Sequence, residues 1–437
     1  MKLYGSGKLR LQVRVDYMVS VPIREVWGRL CFNSRGQETV EVDVKAGDGL
    51  GRAMAPAGAS VGRFEAQNFP QQGVREALRL LKEYSKKLIG LDAADPKVIA
   101  STLREIDGTA NYSRIGGAVA YAVSMAAVEA AAAHLKKPIY AIISPNLEPR
   151  LPYPLGNFIG GGKHAGPGAP DIQELLACPV GAKRIEDAVR ANIIVHKEAR
   201  ALIEKKQPLF AGGKGDEGAW AANLDNNEAL MLAVEAVAKA ADKVGFRIRL
   251  GADFAASSLW DEKQGVYVYA RGSKKLKPEE QIQYVAELAD KFDLFYLEDP
   301  LHEESFDDFR ELTKSVKNVL VVGDDLLVTN PSRLQFALSK RSCNGAILKV
   351  NQAGSLGDAL EFANLALANN IVITTSHRSG DTVDSHIAQV AVATGSKMIK
   401  TGIVGGERIS KLNELLRINE SIYLEKGSEA QMASFNQ

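Results

Sequence analysis

Two runs, Asn318-Val319-Leu320-Val321-Val322-Gly323-Asp324 and Gly345-Ala346-Ile347-Leu348-Lys349, decide the fold. Each is short, apolar and rich in branched side chains, and each closes on an ionisable residue. Such a run suits a strand buried on both faces. Between them, residues 331–341 carry apolar side chains at helical spacing. The pattern is strand, helix, strand, and it recurs on both sides. Arg247-Ile248-Arg249-Leu250-Gly251-Ala252-Asp253 and Asp293-Leu294-Phe295-Tyr296-Leu297-Glu298 precede it. Ile371-Val372-Ile373-Thr374-Thr375-Ser376-His377 and Lys397-Met398-Ile399-Lys400 follow. Helical stretches fill the gaps at 278–292, 305–316, 356–368 and 383–395. This alternation predicts a parallel sheet.

The closing residues Asp253, Glu298, Asp324, Lys349, His377 and Lys400 lie 45, 26, 25, 28 and 23 residues apart. In a closed barrel the C-terminal ends of the strands surround one mouth. These six side chains are therefore predicted to converge. Residues 146–437 number 292, close to the ~250 of a (β/α)8 barrel. An open doubly wound sheet is the alternative, and it would spread the same residues along a line.

Upstream the rhythm differs. Residues 1–20 hold Lys2, Lys8, Arg10 and Arg14 without helical period and read as a basic arm, with Met18 as an alternative start. Residues 26–32 and 39–44 read as strands joined by the turn Asn33-Ser34-Arg35-Gly36. The small-residue stretch from Ala55 to Gly62 reads as a mobile loop. Residues 74–89 and 115–135 read as helices. Residues 21–145 thus form a predicted α+β domain, residues 145–154 a proline-bearing linker, and residues 146–437 the catalytic barrel.

Composition narrows the class. Apolar residues make up 46%, enough for a large core, and the formal net charge is +1, which argues against a broad nucleic-acid footprint. The apolar stretch 115–133 is alanine-rich and interrupted by Glu129, which argues against a membrane span. Cys31, Cys178 and Cys343 are too few and too dispersed for a disulfide framework. A cytoplasmic protein is expected.

Three acids at successive strand ends can hold a hard divalent cation such as Mg²⁺. Lys349 and Lys400 end apolar strands, where an ammonium is costly unless paired. Each reads as a general base or as a clamp on an anion. Ser376-His377-Arg378-Ser379-Gly380 offers donors for a phosphate or carboxylate. Gly215-Asp216-Glu217-Gly218 puts two acids in a turn, and Gly161-Gly162-Lys163-His164 is a flexible loop. Together these suggest proton abstraction beside a carboxylate, with cations stabilising the charge that develops.

In combination and order, the motifs resemble the enolase family. The strongest are Ser34-Arg35-Gly36, Leu297-Glu298-Asp299-Pro300-Leu301, Val322-Gly323-Asp324-Asp325, Leu348-Lys349-Val350-Asn351-Gln352, Ser376-His377-Arg378-Ser379-Gly380 and Ile399-Lys400-Thr401-Gly402. The likeness runs from about residue 24 to about 424. It implies a barrel that begins with two strands and two helices, capped by the N-terminal domain. The implied reaction is Mg²⁺-dependent, reversible dehydration of 2-phospho-D-glycerate to phosphoenolpyruvate in glycolysis and gluconeogenesis. Asp253, Glu298 and Asp324 are the implied ligands of the first ion, and Ser60 of a second ion that arrives with substrate. Lys349 is the implied base and Glu217 the acid, supported by Glu174. Lys400 is implied to hold the substrate carboxylate, Arg378 and Ser379 the phosphate, and His164 and His377 to line the pocket. A homodimer, or an assembly of dimers, is implied through Arg29–Glu407 and Glu41–Arg417 pairs. No nucleic-acid or membrane partner is expected.

The sequence departs from the family pattern at Ala57, Val61, Gly160, Ala219-Trp220-Ala221-Ala222 and Gly405. Two other functions stay open on the sequence: a different lyase of the superfamily, and a weakly active relative with a binding or structural role.

Overall fold

The structure is a computed structural model that describes residues 20–58 and 62–435. Most of the basic arm, and Ser60 and Val61, lie outside these residues.

The chain opens with an antiparallel meander of β1 (Ile23–Phe32), β2 (Glu38–Ala46) and β3 (Gly49–Met54). The sequence reading missed β3, whose glycines mask a strand pattern. Gly49 and Gly51 let the sheet meet α3 closely, since a Cβ there would lie 2.0 Å from the carbonyl oxygens of Ala130 and Ala126. Helices α1 (Val74–Tyr84), α2 (Pro96–Asp107), α3 (Gly117–Leu135) and α4 (Ile139–Ile143) follow. α2 was also missed, although Asp95 caps its first turn, Pro96 starts it and Gly108 ends it at φ 67. α3 is apolar on every side because it is buried on nearly every side. Among the described residues it alone is long and apolar enough to cross a membrane, and 78% of that window is buried inside the protein.

The second unit is a closed barrel. Its strands are β4 (Tyr153–Gly160), β5 (Glu174–Cys178), β6 (Arg249–Asp253), β10 (Leu294–Glu298), β11 (Leu320–Gly323), β12 (Gly345–Leu348), β13 (Val372–Ser376) and β14 (Met398–Lys400), with β14 pairing back to β4. A small antiparallel sheet of β7 (Trp260–Asp261), β8 (Val266–Tyr269) and β9 (Lys274–Leu276) is inserted after β6. The six runs that predict a parallel sheet, now β6 and β10 to β14, pair in parallel, and the departure lies upstream of them. β5 runs antiparallel to both β4 and β6. No crossover α-helix joins β4 to β5, so the chain turns back directly. Two helices, α5 (Ile185–Lys206) and α6 (Asn226–Val244), then carry it to β6. Thus the barrel opens with two strands and two helices. The outer layer continues with α7 (Pro278–Lys291), α8 (Phe306–Ser315), α9 (Pro331–Lys340), the short α10 (Val350–Ala353), α11 (Leu356–Ala368), α12 (His386–Ala393) and α13 (Gly406–Lys426). The proline-bearing segment leads straight into β4, whose Tyr153 and Pro154 already pair with Met398 and Ile399.

Polar ties lock the cap onto the mouth of the barrel. Ala57 and Gly380 exchange backbone hydrogen bonds of 2.8 and 2.9 Å. Asn351 donates to the Pro56 carbonyl at 3.2 Å. His386, buried at the start of α12, lies 3.4 Å from Glu129 of α3 and 3.5 Å from Asp384. Those two carboxylates also accept the backbone N–H groups of Arg52 and Met54 on β3. Burial opposes a charge on His386, but Asp384 and Glu129 outweigh it and raise its pKa to about 10.

A folded-state pKa above the ordinary ~6.5 of histidine stabilises the fold below that pH. The contribution is lost as pH climbs through about 10. Melting temperature is therefore expected to fall between neutral and alkaline pH, and His386→Gln to flatten that fall. Parallel wild-type and variant curves would show that the ion cluster does not contribute.

Candidate active site

The mouth holds a cavity of about 340 Å³, with the cap loop (Gly58, Gly62, Arg63, Glu65) on one side and the strand ends on the other. Lysines organise one half of it. Lys400 Nζ lies 2.8 Å from Asp253, 2.8 Å from Glu298 and 3.3 Å from Glu174. Strand register explains the convergence: Glu174, Asp253 and Glu298 are neighbours in one row across β5, β6 and β10. Because β5 is reversed, its first residue, not its last, reaches the mouth. Tyr296 donates to the second oxygen of Glu298 at 2.8 Å. Lys349 pairs with Asp324, and Gln352 donates to the other Asp324 oxygen at 3.0 Å.

Charge crowding sets the protonation pattern. Burial and then Asp253 push Glu298 well above the usual carboxylate range. Burial and then Asp325 do the same to Asp299. Burial and Asp324 raise Asp325 to about 7. Asp324 goes the other way, because Lys349 outweighs the burial that would raise it. Burial would lower Lys349 and Lys400, yet Asp324 holds the first above its ordinary value and Asp253, Glu174 and Glu298 hold the second well above it.

Glu217 forms the other half. The 211–222 loop brings it 3.2 Å from His377 Nε2 and 3.8 Å from His164, and His164 also lies 3.3 Å from Glu174. Burial would raise Glu217, but His377 and His164 bring it well below the usual range. Burial and the nearby Glu217 raise Glu174. The two imidazoles diverge. Burial is outweighed at His164 by Glu217 and Glu174, which raise it to about 9. At His377 burial wins and lowers it to about 4.

Arg378 lies beside the cavity, 2.9 Å from Glu65 and 3.1 Å from the Asn351 side-chain oxygen. Ser379 also lines the cavity, and its carbonyl accepts from Arg408 at 2.7 Å.

The structure thus places the predicted site residues that it describes around one mouth, although of the expected metal ligands Asp253, Glu298 and Asp324 only Asp324 belongs to a group whose ligand atoms lie within 4.8 Å of one another; Ser60 lies outside the described residues. Sequence reasoning gave no role to several others. Glu65 pairs with Arg378. Asp299, at φ 39, accepts the backbone N–H groups of Asp324 and Asp325 at 2.9 and 2.7 Å. Val328 and Thr329 also adopt left-handed backbone, φ 44 and 51, beside the same loop. Strain of this kind clusters at functional sites. Arg408 of α13 is fully buried and reaches the loop after β13. Asp299 and Asp325 lie inside quoted motifs, so their positions were visible although their roles were not.

The donors fit a hard divalent cation. Carboxylate oxygens dominate, and two groups, His164–Glu174–Glu217 and Asp299–Asp324–Asp325, each gather ligand atoms within 4.8 Å. The crowding that raises Glu298 and Asp299 is what a bound cation would relieve.

Comparison with known proteins agrees across nearly the whole chain. Residues 23–143 match the family described as enolase, N-terminal domain, and residues 148–436 match enolase, C-terminal TIM barrel domain. The enolase of Methanothermobacter thermautotrophicus is 47% identical over 402 residues, 92% of this chain and 97% of that protein. That of Archaeoglobus fulgidus is 47% identical over 398 residues, covering 91% and 97%. That of Pyrobaculum aerophilum is 43% identical over 405 residues, covering 91% and 96%.

Asp299→Ala would leave two backbone N–H groups without their acceptor, at about 1–3 kcal/mol for each that is buried. The variant is expected to melt lower and to gain less stability from added Mg²⁺ in a thermal-shift titration. An unchanged melt and an unchanged Mg²⁺ response would show that Asp299 does not support the Asp324 loop.

Proposed function

The chain belongs to the enolase family, and we propose how its residues divide the work of that reaction. It is a hydro-lyase that interconverts 2-phospho-D-glycerate and phosphoenolpyruvate, the glycolytic enolase reaction. The observation that carries the assignment of roles is the two-sided cavity: Lys349 and Lys400 among carboxylates on one side, and Glu217 between two imidazoles on the other.

Lys349 takes the proton from C2 of the substrate, and the electron pair moves into the substrate carboxylate. The pair then returns to form the C2–C3 double bond as the C3–O bond breaks. A proton delivered through Glu217, with Glu174 and His164 beside it, leaves with the oxygen as water. His377 lines that side of the pocket. Lys400 holds the substrate carboxylate, and Arg378 with Ser379 holds the phosphate. Two Mg²⁺ ions per site fit this scheme, the first on Asp253, Glu298 and Asp324 and the second on Ser60. They would supply positive charge where the carboxylate becomes dianionic, and would draw Asp324 away from Lys349, which must be neutral to act as a base.

The reading extends to assembly and place. A homodimer, or an assembly of dimers, is proposed from the Arg29–Glu407 and Glu41–Arg417 pairs. Within one chain Arg29 is held by Glu41 and Asp43, whereas Arg417 pairs with Glu414 and stays largely exposed. A cytoplasmic location accords with three free cysteines.

Purified protein given 2-phosphoglycerate is expected to produce the ultraviolet absorbance of phosphoenolpyruvate with Mg²⁺ and to stop on adding EDTA. Lys349→Ala should lower turnover by at least ~100-fold and keep the Mg²⁺ thermal shift. Glu217→Gln should retain hydrogen exchange at C2 while dehydration slows. If Glu217→Gln abolished both equally, or if Lys349→Ala turned over normally, these roles would be wrong.

A further inference from the structure

His377 sits at the end of β13 with its ring between two groups that make opposite demands. On one side Arg408 Nη1 lies 2.8 Å from Nδ1. On the other, Nε2 lies 3.2 Å from Glu217 Oε2 and faces the cavity. The backbone is pinned as well, with His377 N–H donating to the Lys400 carbonyl at 2.9 Å.

Arg408 has no freedom to reverse its role. Its side chain is 0% exposed. The same guanidinium donates to the carbonyls of Arg378 at 2.6 Å, Ser379 at 2.7 Å and Asp216 at 3.1 Å, and lies 3.3 Å from Asp381. A guanidinium donates and never accepts. Nδ1 facing it must therefore carry a lone pair, and a neutral imidazole then carries its one proton on Nε2.

We propose that Arg408 is a positioning residue that fixes His377 as the Nε2–H tautomer, so that the ring always presents a proton to Glu217 and the cavity. The structural part of this proposal stands alone; its catalytic consequence rests on the reading of Glu217 given above. The charged groups around the ring are Glu217 from the 211–222 loop, Arg408 from α13 and Asp381 from the loop after β13. Of these Arg408 opposes a second proton, together with burial, and the two acids favour it. Beside burial, the device contributes to the difference between two histidines flanking one carboxylate: His164 turns Nδ1 to two carboxylates, whereas His377 turns Nδ1 to a guanidinium.

The test is nitrogen NMR of full-length protein labelled with ¹⁵N-histidine. Only six histidines are present, and His377→Gln identifies the signal. Wild type is expected to show a bare Nδ1 and a protonated Nε2 throughout about pH 5–9. Arg408→Met should mix the tautomers and move the His377 titration toward the ordinary ~6.5. It should also lower kcat by roughly 10–100-fold with KM nearly unchanged, as losses of such supporting contacts do. Arg408→Lys, which keeps a donor, should restore the tautomer. A wild-type ring protonated on Nδ1 overturns the proposal, and so does a folded Arg408→Met with an unchanged tautomer and titration. If that variant does not fold, the wild-type spectrum still decides. Absence of 2-phosphoglycerate turnover in wild type, with the tautomer as expected, would sink the catalytic reading and leave this one intact.

Discussion

One ammonium among three carboxylates holds the mouth of the barrel together. Lys400 Nζ touches Asp253, Glu298 and Glu174, and all four side chains are almost wholly buried. Removing such charges from water costs several kcal/mol per ion, and mutual attraction offsets that only with close geometry. The ends of β5, β6, β10 and β14 therefore cannot drift independently. Lys349 and Asp324 repeat the arrangement one strand pair away. The acids remain in excess, which keeps Glu298 and Asp299 protonation-prone and leaves the site with an unmet demand for positive charge. The divalent ion and the lysine base proposed above would answer to that same field.

The opposite wall works by contrast. Glu217 is stabilised as a carboxylate by its histidine neighbours, and those neighbours are tuned apart by what stands behind them. Acids surround His164, while Arg408 backs His377. Arg408 also donates to three backbone carbonyls, which ties α13 to the loop after β13 and to the turn bearing Glu217. The cap enters through Glu65 on Arg378 and through the Ala57–Gly380 backbone pair. Cavity-lining groups from both ends of the chain are thereby set against one wall.

Much of this was legible in the sequence. Apolar runs closing on Asp253, Glu298, Asp324, Lys349, His377 and Lys400 gave the barrel and most of its mouth, because a parallel strand puts its last residue there. The structure trims several of those runs by a residue, so that Asp324, Lys349 and His377 lie just past the last ladder residue. Other elements were legible and passed over. α2 and α6 both carry an acidic cap and a closing glycine, with Asp225 and Glu228 forming a capping box. β3 was hidden, since glycines that serve close packing on α3 erase the alternation that marks a strand.

By itself, the sequence marked Asp253, Glu298, Asp324, Lys349, His377 and Lys400 as the residues that close apolar runs, and its resemblance to the enolase family supplied the roles proposed for them. The first part follows from local pattern: period, turn residues and the rarity of an ionisable group closing an apolar run. Tertiary structure alone decided the rest. It reversed β5, so that Glu174 reaches the mouth from the start of its strand, where no strand-end rule would look. It also placed Arg408 behind His377 across 31 residues, and Glu65 on Arg378 across 313. Charge compensation in a desolvated mouth depends on distance in space, and distance in space is set by how the barrel closes and the cap seats, not by spacing along the chain.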